Sequence, residues 1–340
     1  MAPVIGLLGA TGYTGELTTQ ELLRRGIPHV LGGRDAEKLK ALPGDGERRI
    51  VDIDDPASLA VFCHGLDAVI SCIGPFVRYG DRVLDACVRA GVPYVDSTGE
   101  KSFMSAVYAK HANAAVPIVP ACGFDVVPGD MAADIACSAL EDEGKTVESV
   151  LLSYTMHGAS PSRGTARTAA EIFLSESFVP ARVKHRGPHG PRSMVSVPFA
   201  EGATISLARP HVSATVAFAV PSLVSTAMPA LGLGVRLGHP LLKLAAPLIQ
   251  RRIDGLPDGP SDEKRQANAF SIVAEARTAE GEIRQSVVTG QDPYGLTAIC
   301  LVEAALRVAA PDSPTGPLSP SMAFASKDFL EVAGLSWLLA

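Results

Sequence analysis

Three glycines, at positions 9, 12 and 15, have the plainest chemical purpose in this sequence. They stand in Gly9-Ala10-Thr11-Gly12-Tyr13-Thr14-Gly15, after the apolar run Val4-Ile5-Gly6-Leu7-Leu8 and before a helical pattern with Leu17, Leu22 and Leu23. The first glycine of such a set turns the chain, the second lets backbone approach a pyrophosphate, and the third lets helix pack on strand. The N–H groups and positive dipole end of the new helix then hold the anion. The spacing predicts a dinucleotide site, with Gly9, Thr11, Gly12, Tyr13, Thr14 and Gly15 around the phosphates. A second apolar run ends at Gly32-Gly33-Arg34, where an NAD site would present a carboxylate to the ribose 2′-OH. The Arg34 guanidinium instead suits a 2′-phosphate by charge and fork geometry, so NADP is expected, with Gly33 keeping the approach open. Asp35, one position later, keeps NAD as the competing reading.

The elements that must position these groups alternate. Arg48–Val51 reads as a third strand ending at Asp52, Asp67–Cys72 as a fourth, Val92–Asp96 as a fifth and Val116–Ala121 as a sixth, with helical Val83–Ala90 and Ala106–Ala115 among them. Strands alternating with helices predict a Rossmann-type, doubly wound parallel α/β sheet. Ligands on such sheets lie at the carboxyl ends of strands. That nominates Asp52, the run Cys72-Ile73-Gly74-Pro75-Phe76 and Gly99 for the cofactor. Tyr79, Glu100 and Asp125 fall on the same edge and are the candidate catalytic groups, with Lys101 beside them. Each also has a structural reading. Asp125 and Glu100 could accept N–H groups ahead of a helix, Lys101 could be solvated, and Tyr79 could simply line the site.

From about residue 140 the pattern changes. Val147–Met156, Met194–Val197, Thr204–Ala208, Val212–Val220, Ala269–Arg277 and Ile283–Thr289 read as strands, and Gly164–Phe178 and Leu296–Ala309 as helices. A nucleotide domain over 1–128 is therefore expected to lead into a second, mixed α+β domain over 129–310 with a largely antiparallel sheet. A linker and helix over 311–340 are expected to return to the first domain. An apolar, proline-interrupted helical insert is expected near 223–252. It could line an acyl pocket, form a homodimer interface, or rest on a membrane surface with Arg236, Lys243, Arg251 and Arg252 as its basic fringe. The uncharged stretch Val212–Val235 is long enough to span a bilayer, but Pro221, Pro229 and its interspersed hydroxyl residues favour a strand and helix.

Composition excludes several classes. A formal charge of −6 gives no electrostatic reason to expect nucleic acid. The six cysteines show no C-x-x-C or zinc-finger spacing and suit reduced thiols in the cytoplasm. No metal is expected: His185 and His189 have the nearest spacing, but among Arg182, Lys184, Arg186 and Arg192 they read as a solvated basic loop. The same cluster could meet a phosphopantetheine arm or an acidic carrier protein. No tyrosine has lysine four residues on, and neither H-E-x-x-H nor G-x-S-x-G occurs. The first strand begins almost at once, so no signal peptide is expected.

Taken in order, these pieces carry a family resemblance. Gly9–Gly15, Gly32-Gly33-Arg34, Cys72–Phe76 with Tyr79-Gly80, Tyr94-Val95-Asp96 with Thr98-Gly99-Glu100, and Gly123-Phe124-Asp125 with Pro128 resemble the saccharopine dehydrogenase-like oxidoreductases. The likeness is to the actinobacterial trans-acting enoyl reductase branch in particular. Gly290-Gln291-Asp292-Pro293-Tyr294 and Gly316-Pro317-Leu318-Ser319-Pro320 resemble later motifs of the same family. Ser160–Thr165 departs from it, standing where a more glycine-rich turn is expected. The resemblance implies NADPH-dependent reduction. Its branch reduces carbon–carbon double bonds of polyketide-type acyl chains, and the wider family includes imine reductases. The expected protein is thus an enoyl reductase acting on an acyl thioester. An imine reductase using Arg163, Arg167 and Arg277 to grip carboxylates is one alternative, and a non-catalytic NADPH-binding lipid-surface protein is another.

Overall fold

The computed structural model describes residues 2–158, 162–164, 166–167, 170, 181–187, 190–196, 199–220 and 246–340. The first sheet is built from β1 (Ile5–Leu8), β2 (His29–Gly33), β3 (Glu47–Ile50), β4 (Ala68–Ser71), β5 (Tyr94–Asp96), β6 (Pro117–Val119) and β13 (Gly316–Pro317). Their order is β13-β6-β5-β4-β1-β2-β3, every pair parallel. Every residue of β1 and β4 is buried, as strands covered on both faces must be. Between strands run α1 (Tyr13–Arg24), α2 (Ala36–Ala41), α3 (Pro56–Cys63), α4 (Phe76–Ala90) and α5 (Lys101–Lys110). Local chemistry starts and stops them. Asp35 and Asp55 accept first-turn N–H groups of α2 and α3, and Gly91 ends α4 in the left-handed region.

α6 (Val127–Glu141) leads to the second sheet. That sheet holds β7 (Val147–His157), β8 (Ala181–Gly187), β9 (Gly190–Ser196), β10 (Ser213–Ala219), β11 (Ala269–Thr278), β12 (Ile283–Gln291) and β14 (Ser336–Leu339), ordered β14-β12-β11-β7-β10-β9-β8. Only the β7–β10 pair is parallel. α6 packs on β7, β11 and β12. The long helix α9 (Pro293–Val308) packs on α1 and on β4 and β5, so it covers the first sheet. After it the chain adds β13 to the first sheet, passes through α10 (Pro320–Ala323) and α11 (Ser326–Val332) against α6, and ends as β14 on the second. One continuous apolar core results, running from Ile5, Leu7 and Ile70 through Met131 and Leu301 to Ile272 and Val288.

Three local expectations change. Thr204–Ala208 is helical, part of α7 (Glu201–Ala208), because Glu201, Thr204 and Ile205 are buried at helical spacing. The basic stretch around 182–192 is a β-hairpin, with His185 opposite Arg192, where a solvated loop was expected. Such a sheet edge tolerates charge, so composition alone reads like a loop. The terminal strand β14 has no counterpart in the sequence reading. The expected helix over 164–178 and the insert near 223–252 fall largely outside the described residues; of the insert, residues 246–252 belong to α8, a helix over 246–254. Among the described residues no helix is long and apolar enough to cross a membrane, and no cluster of potential metal ligands occurs.

Candidate functional site

The strand order reverses between β1 and β4, and the two loops that leave this switch point build the first wall of the site. Gly9 has φ +87, a value that favours glycine, and a Cβ there would lie 3.0 Å from the Cys72 carbonyl carbon. Gly15 sits so near the Gly9 carbonyl oxygen that any side chain would collide with it. Gly12 is exposed, with only that same oxygen near its missing Cβ. The three glycines thus turn, expose and pack, in that order. Gly12 is also the N-cap of α1 and offers no side chain to it, so the first amides, at Tyr13, Thr14 and Gly15, stand open beside half-buried Thr11. An uncapped helix end in a glycine cradle fits a pyrophosphate.

Arg34 is exposed just past Gly33 at the end of β2, and it makes no ion pair or hydrogen bond among the described residues. Asp35 is committed elsewhere: its carboxylate accepts the N–H groups of Glu37 and Lys38, each at 3.1 Å. The acid that kept NAD open is therefore a helix cap, and the guanidinium is the group left to meet a ribose substituent. Asp52 lies exposed in the next loop, accepting the Asp54 N–H at 2.9 Å.

On the other side of the switch point, the Cys72 N–H donates to the Leu8 carbonyl at 2.9 Å, and Ile73 packs under Gly9. Burial pushes the Cys72 thiol up to about 12, so it remains protonated and inert. Gly74 is exposed, Pro75 caps α4, and Phe76 is buried against Phe103 with centroids 5.7 Å apart. Glu100 reaches across and accepts the N–H groups of Phe76 and Val77 at 2.8 and 2.9 Å. This carboxylate therefore clamps the start of α4. Tyr79, one turn further on, is half-buried with the Arg82 guanidinium 5.9 Å from its ring centroid. Lys101 is exposed at the start of α5.

The loops after β5 and β6 meet here. Asp96 is fully buried and accepts the N–H groups of Thr98 and Ala121 at 2.9 and 2.8 Å; burial nonetheless raises its carboxyl to about 6. Gly99 faces the Asp125 carboxylate, which would stand 3.3 Å from a Cβ. The Asp125 side chain is exposed to solvent in the loop after β6, before α6. Protein packed around the carboxyl, which takes water from it, still pushes it up to about 6. Thr297 of α9 fixes the loop, accepting the Phe124 N–H at 3.1 Å and donating to the Pro293 carbonyl at 2.9 Å.

Beneath these loops lies a pair that sequence reasoning missed. The Tyr154 hydroxyl on β7 donates to the Glu201 carboxyl on α7, both groups are buried, and Gly129 of α6 packs directly against them. Burial, with Asp125 and Asp130 adding like charge, raises Glu201 to about 8 despite the Tyr154 hydrogen bond. The only available signal was an acid within Phe199-Ala200-Glu201, an apolar setting; its partner is 47 residues away. The half-buried side chains of Phe124, Met156, Phe199 and Phe218 pack on the same core.

A parallel sheet reversed at a glycine cradle, with a guanidinium where NAD proteins keep an acid, marks the class of NADP-binding Rossmann-type domains. Within that class, residues 5–119 match the family model of the saccharopine dehydrogenase NADP binding domain. A trans-acting enoyl reductase of Mycobacterium ulcerans is 31% identical over 191 residues, covering 52% of this chain and 46% of that protein. A saccharopine dehydrogenase-like oxidoreductase of Bos taurus is 29% identical over 197 residues, covering 50% and 46%. The chain thus spans about half the length of the curated relatives it matches. The apo saccharopine dehydrogenase (L-Glu forming) of Saccharomyces cerevisiae superposes with a TM-score of 0.65 over 99% of this chain and 100% of its own, at 13% identity. At that identity the likeness is one of fold.

Proposed function

We propose that the protein is an NADPH-dependent reductase that saturates a carbon–carbon double bond of an acyl thioester. The observation that carries the reading is Asp125, a solvent-reached carboxyl after β6 that faces Gly99 across the carboxyl ends of the strands, beside half-buried Phe124, and is raised to about 6. The Gly9–Gly15 cradle and Arg34 would hold NADPH, whose chemistry would be hydride donation to the β-carbon of a conjugated thioester. Asp125 holds a proton for the α-carbon, and substrate binding dries the site and raises its pKa further. Glu100 keeps the Gly74–Phe76 turn in place for the cofactor, and Thr297 holds the Asp125 loop. The relative named a trans-acting enoyl reductase supports this choice of substrate class.

The imine alternative needs arginines converging on substrate carboxylates. Each candidate instead answers to an acid of the protein: Arg163 to Asp258, Arg167 to Asp254 at 2.6 Å, and Arg277 to Glu275 at 2.7 Å. We propose further that the basic hairpin of β8 and β9 meets the phosphate of a carrier-bound acyl arm. The test is NADPH oxidation against a panel of enoyl thioesters and preformed imines. Faster turnover of any imine, or undiminished kcat in Asp125→Asn, sinks the assignment.

A further inference from the structure

Tyr13 follows the exposed glycine of the cradle, yet its side chain is taken up by the second domain. Its ring lies edge-on to that of Tyr294, with centroids 5.3 Å apart and planes at 81°, and its hydroxyl donates to the Pro260 carbonyl at 2.8 Å. Gly259 is pressed so closely on the ring that a side chain there would enter it. Tyr294, at the start of α9, accepts the Ser162 N–H at 2.7 Å. From Ser162 the ties continue. The Arg163 N–H donates to the Asp258 carbonyl at 3.2 Å, its guanidinium pairs with the Asp258 carboxylate, and Arg167 reaches Asp254 at 2.6 Å. Ser162, Arg163 and Arg167 are therefore joined with residues 254–260 as one strap, and two tyrosines fasten that strap to the turn of α1 whose amides are open.

α1 needs such a fastening. Its N-cap is Gly12, which supplies no side-chain hydrogen bond, whereas α2, α3 and α9 are each held by an aspartate. Anion binding by a first helical turn depends on several N–H groups converging at once. A ring gripped from three sides can set the direction of those groups without occupying the space the phosphates need. The same grip makes the cradle depend on the strap.

We propose that Tyr13 and Tyr294 are positioning residues for the dinucleotide, carrying the placement of the strap formed by Ser162, Arg163, Arg167 and residues 254–260 into the pyrophosphate-facing turn of α1. The proposal rests on the cradle binding NADPH. It follows that bound NADPH and a fastened strap favour each other, since whatever stabilises one stabilises the other.

The experiment uses the full chain and NADPH as the probe. Tyr13→Phe keeps the ring and loses one hydrogen bond. It should weaken NADPH about 3- to 10-fold, mainly through a faster off-rate, as expected for one net hydrogen bond. Tyr294→Phe keeps the ring, removes the acceptor of the Ser162 N–H and should weaken NADPH comparably. The double variant should lose less than the product of the two single effects, because both changes open one fastening. Hydrogen exchange gives a second readout: NADPH should slow exchange of amides over 254–267 in the wild type and fail to do so in Tyr13→Phe. A purely structural contact would lower the melting temperature of both variants and leave the off-rate and the NADPH-dependent protection unchanged; that result overturns the proposal. Wild-type protein that binds no NADPH removes the cradle reading and the proposal with it.

Discussion

Glu201 offers the sharpest test of the buried site. Its carboxyl rises from an ordinary 4.5 to about 8 in the folded chain, so folding at neutral pH takes up a proton there. A raised folded pKa stabilises the native state fully below the unfolded value and is lost as pH climbs through the folded one; the window here runs from about 4.5 to about 8. Between about pH 5 and pH 8 one such group removes about 4 kcal/mol of stability. Glutamine keeps the shape and can still accept the Tyr154 hydroxyl, but it does not titrate. Urea midpoints of wild type and Glu201→Gln, taken at unit steps across that range, should therefore diverge, with the variant gaining steadily on the wild type as pH rises. The groups facing Glu201 are Tyr154 from β7, Asp125 from the loop before α6 and Asp130 from α6 itself. Asp96 and Asp125, raised to about 6, bend both curves alike at the acid end, so the difference isolates Glu201. Parallel curves would refute the buried neutral carboxyl and the reasoning built on it.

Other expectations follow from single contacts. Arg34→Ala should cost NADPH about 10- to 100-fold in affinity and leave NADH unchanged in equilibrium titration, since a charged hydrogen bond to phosphate contributes a few kcal/mol. Gly15→Ala drives a methyl group into the Gly9 carbonyl and should destabilise the fold by about 1–3 kcal/mol in urea unfolding, with NADPH binding lost in the same protein. Glu100→Gln leaves the two amides at the start of α4 without their charged acceptor and should cost about 1–2 kcal/mol of stability, together with a higher KM for NADPH. Asp125→Asn should lower kcat about 100-fold or more on an accepted enoyl thioester, with NADPH affinity close to wild type by fluorescence titration.

What the sequence made legible was local chemistry. The glycines, Arg34 and the strand–helix alternation lie within a few residues of the partners that give them meaning, so their types and spacing suffice. Asp35 shows the limit of that reading: an acid beside Arg34 is ambiguous until its carboxylate is found capping α2. Glu100 is similar, because its amide partners come from another turn. Tyr154 and Glu201 were invisible for a different reason. Their meaning arises from burial against each other and against Gly129, which periodicity does not encode. Thr204–Ala208 misled because Thr, Ile, Ser and Leu alternate there like a strand, while packing beside α6 decided for a helix. β14 escaped because four residues at a sheet edge gain their order from β12, not from their own pattern.

The apolar core continuous from Ile5 to Val288 has a consequence for engineering. Although residues 5–119 match a nucleotide-binding model, they are no transplantable cassette: α9 covers β4 and β5, and β13 completes the sheet beside β6. Excising that stretch would strip a helix and a strand from the sheet it depends on. A graft of a new substrate half onto this cradle therefore succeeds only if it brings its own version of α9.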